Sequence, residues 1–449
     1  MSRKYDIVVY GATGFSGRLI CEEFVLHVLP TLGHNLPDAK GARKIRWAVG
    51  ARSSSNLSIL KENLDALAKQ KNVEEYLPSE YLTVSTDDKK GLEAMCESTT
   101  LLLNCAGPFA VCGQPVVEAC VAKGAHYTDI NGEPGFVRAF VWPLHERAIA
   151  AGVYLIPCCG FDCVPADVGT FRLLEKRAKN AEKTGTTPTP SVVDTFVQYN
   201  GSLSNGTFYT LLNSITSKPP KVPKSDANAT ELRKLPRVSQ KGSHYSKLGK
   251  CYVFPLPSAD PQIIARSFSL PGGQRDPLAK MVGYRHWLHV PGFTTFIKRL
   301  IVMTIFGILA KTGKFGIAIL KWWRGTAQHK GPSADERRRE PTCLRMIATE
   351  AGSTKPADSV TVNGTHCYDL TASAACLSAV SLIVWLQGGP KVPVGGGEKP
   401  DYPTGGAWTI APLFAQLPMS APTTPGEQAS LLDYFQKEMV RRGAMNVVV

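Results

Sequence analysis

The fold prediction starts from the stretch Tyr5–Gly17, which reads YDIVVYGATGFSG. Tyr5–Tyr10 is a short apolar run, typical of a strand buried on both faces. Glycines follow at positions 11, 14 and 17, and apolar residues at helical spacing come next. A strand, a glycine-rich turn and a helix in this order predict a unit that binds the diphosphate of a dinucleotide at the helix N-terminus. The candidate contacts in the turn are Gly11, Thr13, Gly14, Phe15 and Gly17. The alternative is a tight strand–helix turn without a ligand.

The first 170 residues continue this alternation of strands and helices. Further strands are predicted at Ile45–Ala51, Tyr81–Ser85, Leu101–Ala106, His126–Ile130 and Val153–Pro157. Helices are predicted at Leu57–Ala68, Leu92–Cys96, Pro115–Val121 and Ala139–Ala150. Such alternation favours a parallel sheet with right-handed crossovers. We therefore predict a Rossmann-type, doubly wound α/β domain over residues 1–170.

Residues 171–449 predict a second, mixed α/β domain for substrate binding or dimerisation. Strands are expected at Ser191–Asn200, Cys343–Glu350 and Ser359–Leu370, and helices at Gly206–Ile215, Ala372–Leu386 and Phe414–Val440. Lys218–His244 has little apolar content and predicts a surface loop, as does the Gly/Pro-rich stretch Gly388–Gly406. The whole is predicted to be inserted after the sixth strand of the first sheet.

The residues after the second predicted strand bear on the choice of cofactor. They read Gly-Ala-Arg-Ser-Ser-Ser at 50–55, with one cation and no acid. An acid in this place usually holds the ribose 2′-hydroxyl of NAD, whereas an arginine accommodates the 2′-phosphate of NADP. Arg52 therefore favours NADP(H) over NAD(H), through a charge-assisted hydrogen bond. The alternative is a solvated surface arginine.

Four motifs resemble a known family. After the glycine-rich turn come Asn104–Phe109 (NCAGPF), His126–Glu133 (HYTDINGE) and Cys159–Asp167 (CGFDCVPAD), and Gly405–Thr409 near the end also fits. Together they are similar to the saccharopine dehydrogenase-like oxidoreductases, which include mycobacterial trans-acting enoyl reductases and an animal lipid-droplet-associated member. The resemblance implies an NAD(P)-binding Rossmann domain, a second mixed domain and an association with lipid. It does not imply saccharopine as the substrate.

The loops after the fourth, fifth and sixth strands should face the nicotinamide. The predicted cofactor contacts there are Asn104, Ala106, Gly107 and Pro108, and the polar candidates are His126, Tyr127, Asp129, Glu133, Asp162 and Asp167. Of these, Tyr127, Asp129 and Asp162 are our predicted catalytic residues, because hydride reduction also needs a proton donor. The alternative for each is structural, such as capping the helix that follows Pro165. Cys158, Cys159 and Cys163 face no second CxxC pair, so no metal site is expected.

The segment 284–345 is apolar and basic. Leu300–Ala310 and Phe315–Trp323 are apolar runs separated by a turn with Lys311 and Lys314, and the segment carries 12 Lys+Arg against 3 Asp+Glu. This pattern predicts two interfacial helices, with residues 300–323 dipping into one leaflet and Trp322 and Trp323 at the polar boundary. The alternative is a pair of core helices at a domain or dimer interface.

Composition and charge narrow the function class. An apolar fraction of 43% excludes global disorder, and twelve cysteines in 449 residues do not make a disulfide-stapled module. The net charge of +14 indicates an anionic partner, but no nucleic-acid-binding motif accompanies it. The chain begins directly before the first strand, so we expect no targeting peptide. The sequence predicts a cytoplasmic NADP(H)-dependent oxidoreductase, peripheral on a membrane or lipid droplet. It would act by hydride transfer to a C=C or C=O bond of a lipid-like substrate, in lipid or glycolipid biosynthesis. A homodimer, a non-catalytic lipid-surface scaffold and a soluble amino-acid-type dehydrogenase remain alternatives.

Overall fold

The computed structural model describes residues 3–32, 36–38, 41–199, 204–216, 235–236, 238–256, 258–270, 280–324, 331–388, 402–419 and 430–449. The strands are β1 (Tyr5–Tyr10), β2 (Leu36–Asp38), β3 (Gly41–Arg43), β4 (Trp47–Ala51), β5 (Tyr81–Thr83), β6 (Thr99–Asn104), β7 (His126–Asp129), β8 (Tyr154–Ile156), β9 (Ser191–Gln198), β10 (His244–Ser246), β11 (Cys251–Pro255), β12 (Met281–Val290), β13 (Thr342–Glu350), β14 (Pro356–Gly364), β15 (Gly406–Ala407) and β16 (Met445–Val448).

The helices complete the set of elements. They are α1 (Phe15–Glu23), α2 (Leu29–Leu32), α3 (Ser54–Lys71), α4 (Lys89–Ser98), α5 (Phe109–Lys123), α6 (Pro134–Phe136), α7 (His145–Ala150), α8 (Val164–Lys183), α9 (Asn205–Thr216), α10 (Asp260–Ser269), α11 (Phe293–Lys311), α12 (Lys314–Arg324), α13 (Ala334–Arg339), α14 (Cys367–Gly388), α15 (Ile410–Gln416) and α16 (Leu431–Arg441). A π-helical turn, Phe24–Val28, continues α1, and another, Val137–Val141, precedes α7.

Seven strands of the described chain form sheet 1, in the order β15-β8-β7-β6-β1-β4-β5, and all neighbours are parallel. Counted along the chain, this is the Rossmann order 3-2-1-4-5-6 with a seventh strand added at one edge. Every residue of β1 is buried, as its apolar sequence predicts for a central strand. The predicted doubly wound sheet is confirmed.

Sheet 2 is mixed and runs β10-β11-β12-β9-β13-β14-β16. Only β9 and β12 are parallel in it; the other neighbours are antiparallel. The chain then returns to sheet 1, because Gly406 and Ala407 of β15 pair with Tyr154 and Leu155 of β8. The second mixed sheet is confirmed, while the exact domain boundaries stay a prediction.

The helix α14 lies in the core that the two sheets share. It contacts α1, α16, β6 and β7, and most of its residues are buried. One hydrophobic cluster joins Ile7 and Val9 of sheet 1, Leu377 of α14, and Met346 and Val362 of sheet 2. By length and composition α14 could span a membrane, with a mean hydropathy of 1.7 over its most apolar window, but 78% of that window is buried. Its apolar surface is therefore explained by protein packing.

Two of the elements predicted within residues 171–449 were wrong in part, because the structure gives them different bounds. The strand predicted at Ser359–Leu370 ends at Gly364, and α14 begins at Cys367. The imidazole Nδ1 of His366 accepts a hydrogen bond from the Tyr368 amide, and histidine is not a usual helix cap. The helix predicted at Phe414–Val440 is two helices, and a capping box of Ser430 and Asp433 starts the second. Residues 218–234, 237, 389–401 and 420–429 of the predicted loops and helix lie outside the described residues.

Equal truncations should distinguish the buried helix α14 from the exposed helix α11. Leu377 is 0% exposed and Leu300 is 38% exposed. We expect Leu377→Ala to lower the free energy of unfolding by about 2–5 kcal/mol, since it leaves a cavity in the core. Leu300→Ala, measured without lipid, should change it by less than about 0.5 kcal/mol. Urea unfolding of both variants tests this, and equal losses would contradict the assignment of α14 to the core.

Candidate cofactor cleft and active site

The glycine-rich turn lies directly against the loop that follows β6. Gly11 has φ +81°, and a Cβ there would lie 2.5 Å from the Ala106 amide nitrogen. A Cβ on Gly17 would lie 2.4 Å from the Gly11 carbonyl oxygen. Helix α1 begins after Gly14 and no side chain caps it. Its first amides are therefore suited to bind an anion, with the positive end of the helix dipole behind them.

Arg52 lies at the carboxyl end of β4, exposed, next to the start of α3. The Ser53 hydroxyl accepts a hydrogen bond from the Asn56 amide at 3.2 Å and caps that helix. Burial raises the pKa of Tyr10 to about 12, while the charge of Arg52 acts in the opposite direction. The negative charge of Asp87 raises the pKa of Tyr10, whereas the positive charge of Arg52 lowers it. The charges of Arg52 and Asp87 therefore both act on Tyr10, the last residue of β1, and Asp87 is a nearby acid that the sequence did not indicate.

Glu133 occupies the start of α5. Its carboxylate accepts hydrogen bonds from the Phe109 amide at 2.8 Å and the Ala110 amide at 2.9 Å. The Thr210 hydroxyl of α9 donates to the same carboxylate at 3.2 Å. Helix α5 follows the cis Gly107–Pro108 peptide. The geometry of Glu133 is that of a helix cap that also binds α9.

Three of the predicted residues form a closed hydrogen-bond network. The Asn104 amide nitrogen donates to the Tyr127 hydroxyl at 3.2 Å, and that hydroxyl donates to Asp129 Oδ2 at 2.8 Å. The other oxygen, Asp129 Oδ1, accepts from the amides of Asn131 and Cys158 at 2.9 and 2.7 Å. The network therefore joins the ends of β6, β7 and β8.

Burial governs the protonation of this network. It raises the pKa of Tyr127 well above the usual value and raises that of Asp129 to about 6. His126 is also buried; its Nδ1 accepts from the Tyr154 amide at 3.0 Å, and burial lowers its pKa to about 4. These groups hold the loops in place, and the catalytic assignments of Tyr127 and Asp129 stay predictions.

Asp162 lies in the turn after β8 and is exposed. A Cβ on Gly132 would lie 2.2 Å from Asp162 Oδ2, so the carboxyl group packs against a residue that has no side chain. Desolvation by neighbouring protein atoms and the charge of Asp260 raise the pKa of this carboxyl group above its usual value.

Asp167 is buried. It accepts hydrogen bonds from the Ser267 hydroxyl at 2.5 Å and the Ala411 amide at 2.8 Å. Burial raises its pKa to about 6. Asp167 therefore ties α8 to α10 and α15. Among the residues that the structure describes, no group of three or more His, Cys, Asp or Glu side chains could hold a metal ion.

Sequence reasoning missed Asp260, the first residue of α10. It is 2% exposed, and burial raises its pKa to about 7 against a hydrogen bond from Ser258. The available signal was Asp260-Pro261, since proline in the first turn marks a helix start. Proximity to Asp162 could not be read from a separation of nearly one hundred residues.

Comparison with known proteins agrees with the cleft geometry. Residues 44–156, from just before β4 to the end of β8, match the family model of the saccharopine dehydrogenase NADP binding domain. The chain is 28% identical over 326 residues to the saccharopine dehydrogenase-like oxidoreductase of Bos taurus, covering 69% of this chain and 70% of that protein. The family resemblance and the choice of NADP are confirmed.

Two further relatives have names of a different kind. A lipid droplet localized protein of Caenorhabditis elegans is 29% identical over 279 residues, covering 60% of this chain and 59% of that protein. A protein of Mycobacterium tuberculosis, provisionally named a trans-acting enoyl reductase, is 30% identical over 215 residues, covering 48% of this chain and 45% of that protein.

Reversing the charge of Arg52 should reverse the choice of coenzyme. We expect Arg52→Glu to bind NADH more tightly than NADPH, because two acids, the new one and Asp87, would then face the 2′-phosphate. The wild-type chain should prefer NADPH, and Arg52→Gln should bind the two coenzymes about equally. Fluorescence titration measures both affinities. Arg147→Glu makes the same charge change at an exposed position on α7 and serves as the control. An unchanged NADPH/NADH ratio in Arg52→Glu would remove this residue from the site.

Proposed function

The chain is an NADP-binding oxidoreductase similar to the saccharopine dehydrogenase-like proteins, and we propose that it reduces a lipid-like substrate at the surface of a lipid droplet or membrane. The reaction would be hydride transfer from NADPH to a C=C or C=O bond of a molecule that enters the cleft from the lipid phase. The observation that carries this proposal is an exposed apolar helical hairpin, α11–α12, which packs on helix α9, and α9 in turn contacts Glu133 at the start of α5.

The hairpin exposes apolar side chains that a water-facing helix would not normally carry. Helix α11 has a mean hydropathy of 1.7 over its most apolar window, of which only 11% is buried. Its exposed apolar residues are Phe293, Leu300, Ile301, Val302, Met303, Ile305 and Ile308, and Phe315 and Trp322 continue the exposed surface on α12. Contiguous apolar surface of this kind marks an interaction site for a membrane or for another protein. Trp323 lies outside the residues whose side chains are described.

The placement of charge favours a hairpin that lies along the lipid surface. Lys298, Lys311, Lys314 and Lys321 are exposed around the apolar residues. Insertion with the turn first would bury Lys311 and Lys314, and α12, at about 16 Å, is too short to cross a bilayer. Lying in the interface, the lysines instead reach anionic headgroups, with a contribution of about 1 kcal/mol each.

Helix α9 links this hairpin to the cleft. On one face, Phe208 and Leu212 pack with Ala310 of α11 and Leu320 of α12. On the other, the Thr210 hydroxyl donates to Glu133 at the start of α5. A substrate resting on the hairpin is therefore separated from the cofactor loops by the thickness of one helix.

The first turn of α9 also reaches the glycine-rich turn. The Tyr368 hydroxyl is hydrogen-bonded to the Ser204 amide at 2.6 Å and to the Thr207 hydroxyl at 2.8 Å. The ring of Tyr368 meets Phe15 edge-on, with centroids 5.1 Å apart. A displacement of α9 would therefore move Tyr368 and, through its ring, Phe15, which is a predicted cofactor contact. This supports delivery of an apolar substrate past α9.

The names of two relatives agree with this proposal. One is localized to lipid droplets and the other is named for enoyl reduction, the addition of hydride and proton to a C=C bond. Neither name mentions glycolipid synthesis, so we propose only that the substrate is lipid-like.

Lysine substitutions on the hairpin test the lipid contact. Ile301, Ile305 and Ile308 are 53%, 52% and 59% exposed on α11, and Ile59 is 56% exposed on α3. We expect the triple variant Ile301→Lys, Ile305→Lys, Ile308→Lys to lose co-flotation with liposomes and lipid droplets, since burying the new charges is costly. The variant Ile59→Lys should float as the wild type does. If the triple variant floats unchanged, the lipid contact is contradicted, and a shift from dimer to monomer in light scattering would assign the hairpin to a protein interface.

Turnover tests the catalytic part. With NADPH and an extract of neutral lipids, wild-type protein should oxidise the coenzyme, and the triple hairpin variant should do so more slowly on droplets while keeping its NADPH affinity. NADPH binding without oxidation in any lipid extract would instead support a non-catalytic scaffold.

A further inference from the structure

A row of aromatic rings joins helix α11 to the outer edge of sheet 2. Tyr245 of β10 and Tyr252 of β11 lie opposite each other in the antiparallel pair, with ring centroids 5.2 Å apart. The centroid of Tyr252 also lies 5.6 Å from that of Phe293 and 4.9 Å from that of Phe296, both in the first turn of α11. Phe296 is buried, whereas Tyr245 and Phe293 are 51% and 60% exposed. The row therefore has a buried ring that fixes it to the protein and two rings that are largely exposed.

This row continues the exposed apolar face of α11. Leu300, Ile301 and Ile308 follow Phe293 at positions i+7, i+8 and i+15, which lie on one face of an α-helix. All four side chains are exposed. The apolar surface of the hairpin therefore extends beyond α11 and passes from Phe293 over Tyr252 to the edge strand β10.

Two lysines stand next to the aromatic row, in the turn between β10 and β11. Lys247 and Lys250 are both exposed. The Gly249 amide donates to the Ser246 hydroxyl at 3.0 Å, and a Cβ on Gly249 would lie 2.4 Å from the Phe196 ring. These contacts hold the turn, and with it both lysines, against sheet 2. We call the exposed end of this row and its two lysines the edge patch, which consists of Tyr245, Lys247, Lys250, Tyr252 and Phe293.

The two segments that build the edge patch and the hairpin carry charge of one sign. Residues 238–256 contain three lysines and no Asp or Glu. Residues 280–324 contain eight Lys+Arg and again no Asp or Glu. A surface of this composition is complementary to a layer of anionic headgroups.

Both ends of α11 are attached to the body of the protein. Near its start, the Phe296 ring packs against Phe254 of β11, with centroids 4.8 Å apart. Near its end, Ala310 packs with Phe208 and Leu212 of α9. The 19 residues of α11 span about 28 Å between these two attachments. The helix therefore lies along the protein and cannot enter a bilayer end-on.

We propose that the edge patch is a second lipid contact, which binds anionic phospholipid headgroups and lays α11 flat on the lipid surface. This inference rests on the lipid contact of the proposed function. Tyrosine rings have an apolar body and a polar tip and are suited to the headgroup level, where lysines pair with anionic groups. With Lys247 and Lys250 beyond one end of the helix and Lys311 and Lys314 at the other, a single headgroup layer binds both ends. A soluble polyanion would leave the apolar face of α11 uncovered, whereas a lipid layer covers that face together with the lysines.

The first test uses the wild-type chain. Its lysines are acetylated with acetic anhydride, with and without vesicles of phosphatidylcholine mixed with phosphatidylserine, and mass spectrometry reports the rate at each site. We expect the vesicles to slow the labelling of Lys247 and Lys250 about fivefold or more, because bound headgroups shield them. Lys69 and Lys71, which are exposed on α3, should be labelled at the same rate in both samples.

The labelling pattern separates this inference from the proposed function. Vesicles that protect Lys311 and Lys314 but not Lys247 and Lys250 would overturn the edge patch and leave the lipid contact of the hairpin in place. Protection of Lys247 and Lys250 without vesicles, growing with protein concentration, would assign the patch to an interface between two copies of the chain and overturn the proposal.

The second test removes the edge patch. The edge variant combines Tyr245→Ser, Lys247→Gln and Lys250→Asn, and asparagine suits the φ of +53° at position 250. We expect it to bind the mixed vesicles at least about tenfold more weakly than the wild type in flotation, since it lacks two cations and an exposed ring. Its affinity for NADPH should be unchanged, which shows that the protein is folded.

The matched control makes the same kind of change on α3. Ile59→Ser, Lys69→Gln and Lys71→Gln remove one exposed apolar side chain and two charges, and this variant should bind vesicles as the wild type does. If the edge variant binds the mixed vesicles with wild-type affinity while the triple hairpin variant does not float, the edge patch is refuted and the proposed function stands. If the wild type binds no vesicles, both fail.

Discussion

The close approach of Gly11 to the backbone of Ala106 is the constraint on which the cofactor cleft depends. A side chain at Gly11 would overlap the Ala106 amide nitrogen, and one at Gly17 would overlap the Gly11 carbonyl. The glycine-rich turn is therefore in close contact both with the start of α1 and with the loop that follows β6. This contact brings the uncapped amides of α1 beside the loop that leads to α5, where a diphosphate and the adjoining ribose would lie.

Helix packing elsewhere in the molecule supports this contact between Gly11 and Ala106. Helix α14 lies in the core that the two sheets share, and most of its apolar surface is buried inside the protein. Helix α11 has a similar composition and length, yet its apolar side chains face outward. Two helices of equal mean hydropathy therefore differ in position: α14 is buried in the core and α11 is exposed on the surface. Helix α9 then connects the outward-facing hairpin to Glu133, so that the lipid-facing and cofactor-facing parts share one element.

The sequence was informative where structure is local. Short apolar strands, the glycine-rich turn and the helix after it were predicted because their signals lie within a few residues of each other. The predicted strand at Ser359–Leu370 ended too late because His366, an unusual cap, starts α14. The effect of the Asp260 charge on Asp162 could not be predicted, since it depends on α10 packing against α8 far along the chain. The helical cap formed by Glu133 was likewise hidden, because its partners Phe109 and Ala110 lie more than twenty residues earlier.

Titration of NADPH into a variant at Gly11 tests the central claim most directly. Gly11→Ala introduces a Cβ at a φ of +81° and against the Ala106 backbone, whereas Gly185→Ala introduces one at a φ of +66° with no atom within 4 Å. Both changes strain the backbone, so Gly185→Ala separates strain from the loss of the cleft contact. The account predicts that Gly11→Ala weakens NADPH binding at least about tenfold, or about 1.4 kcal/mol, while Gly185→Ala binds as the wild type does. Folded Gly11→Ala protein with wild-type affinity for NADPH would contradict it.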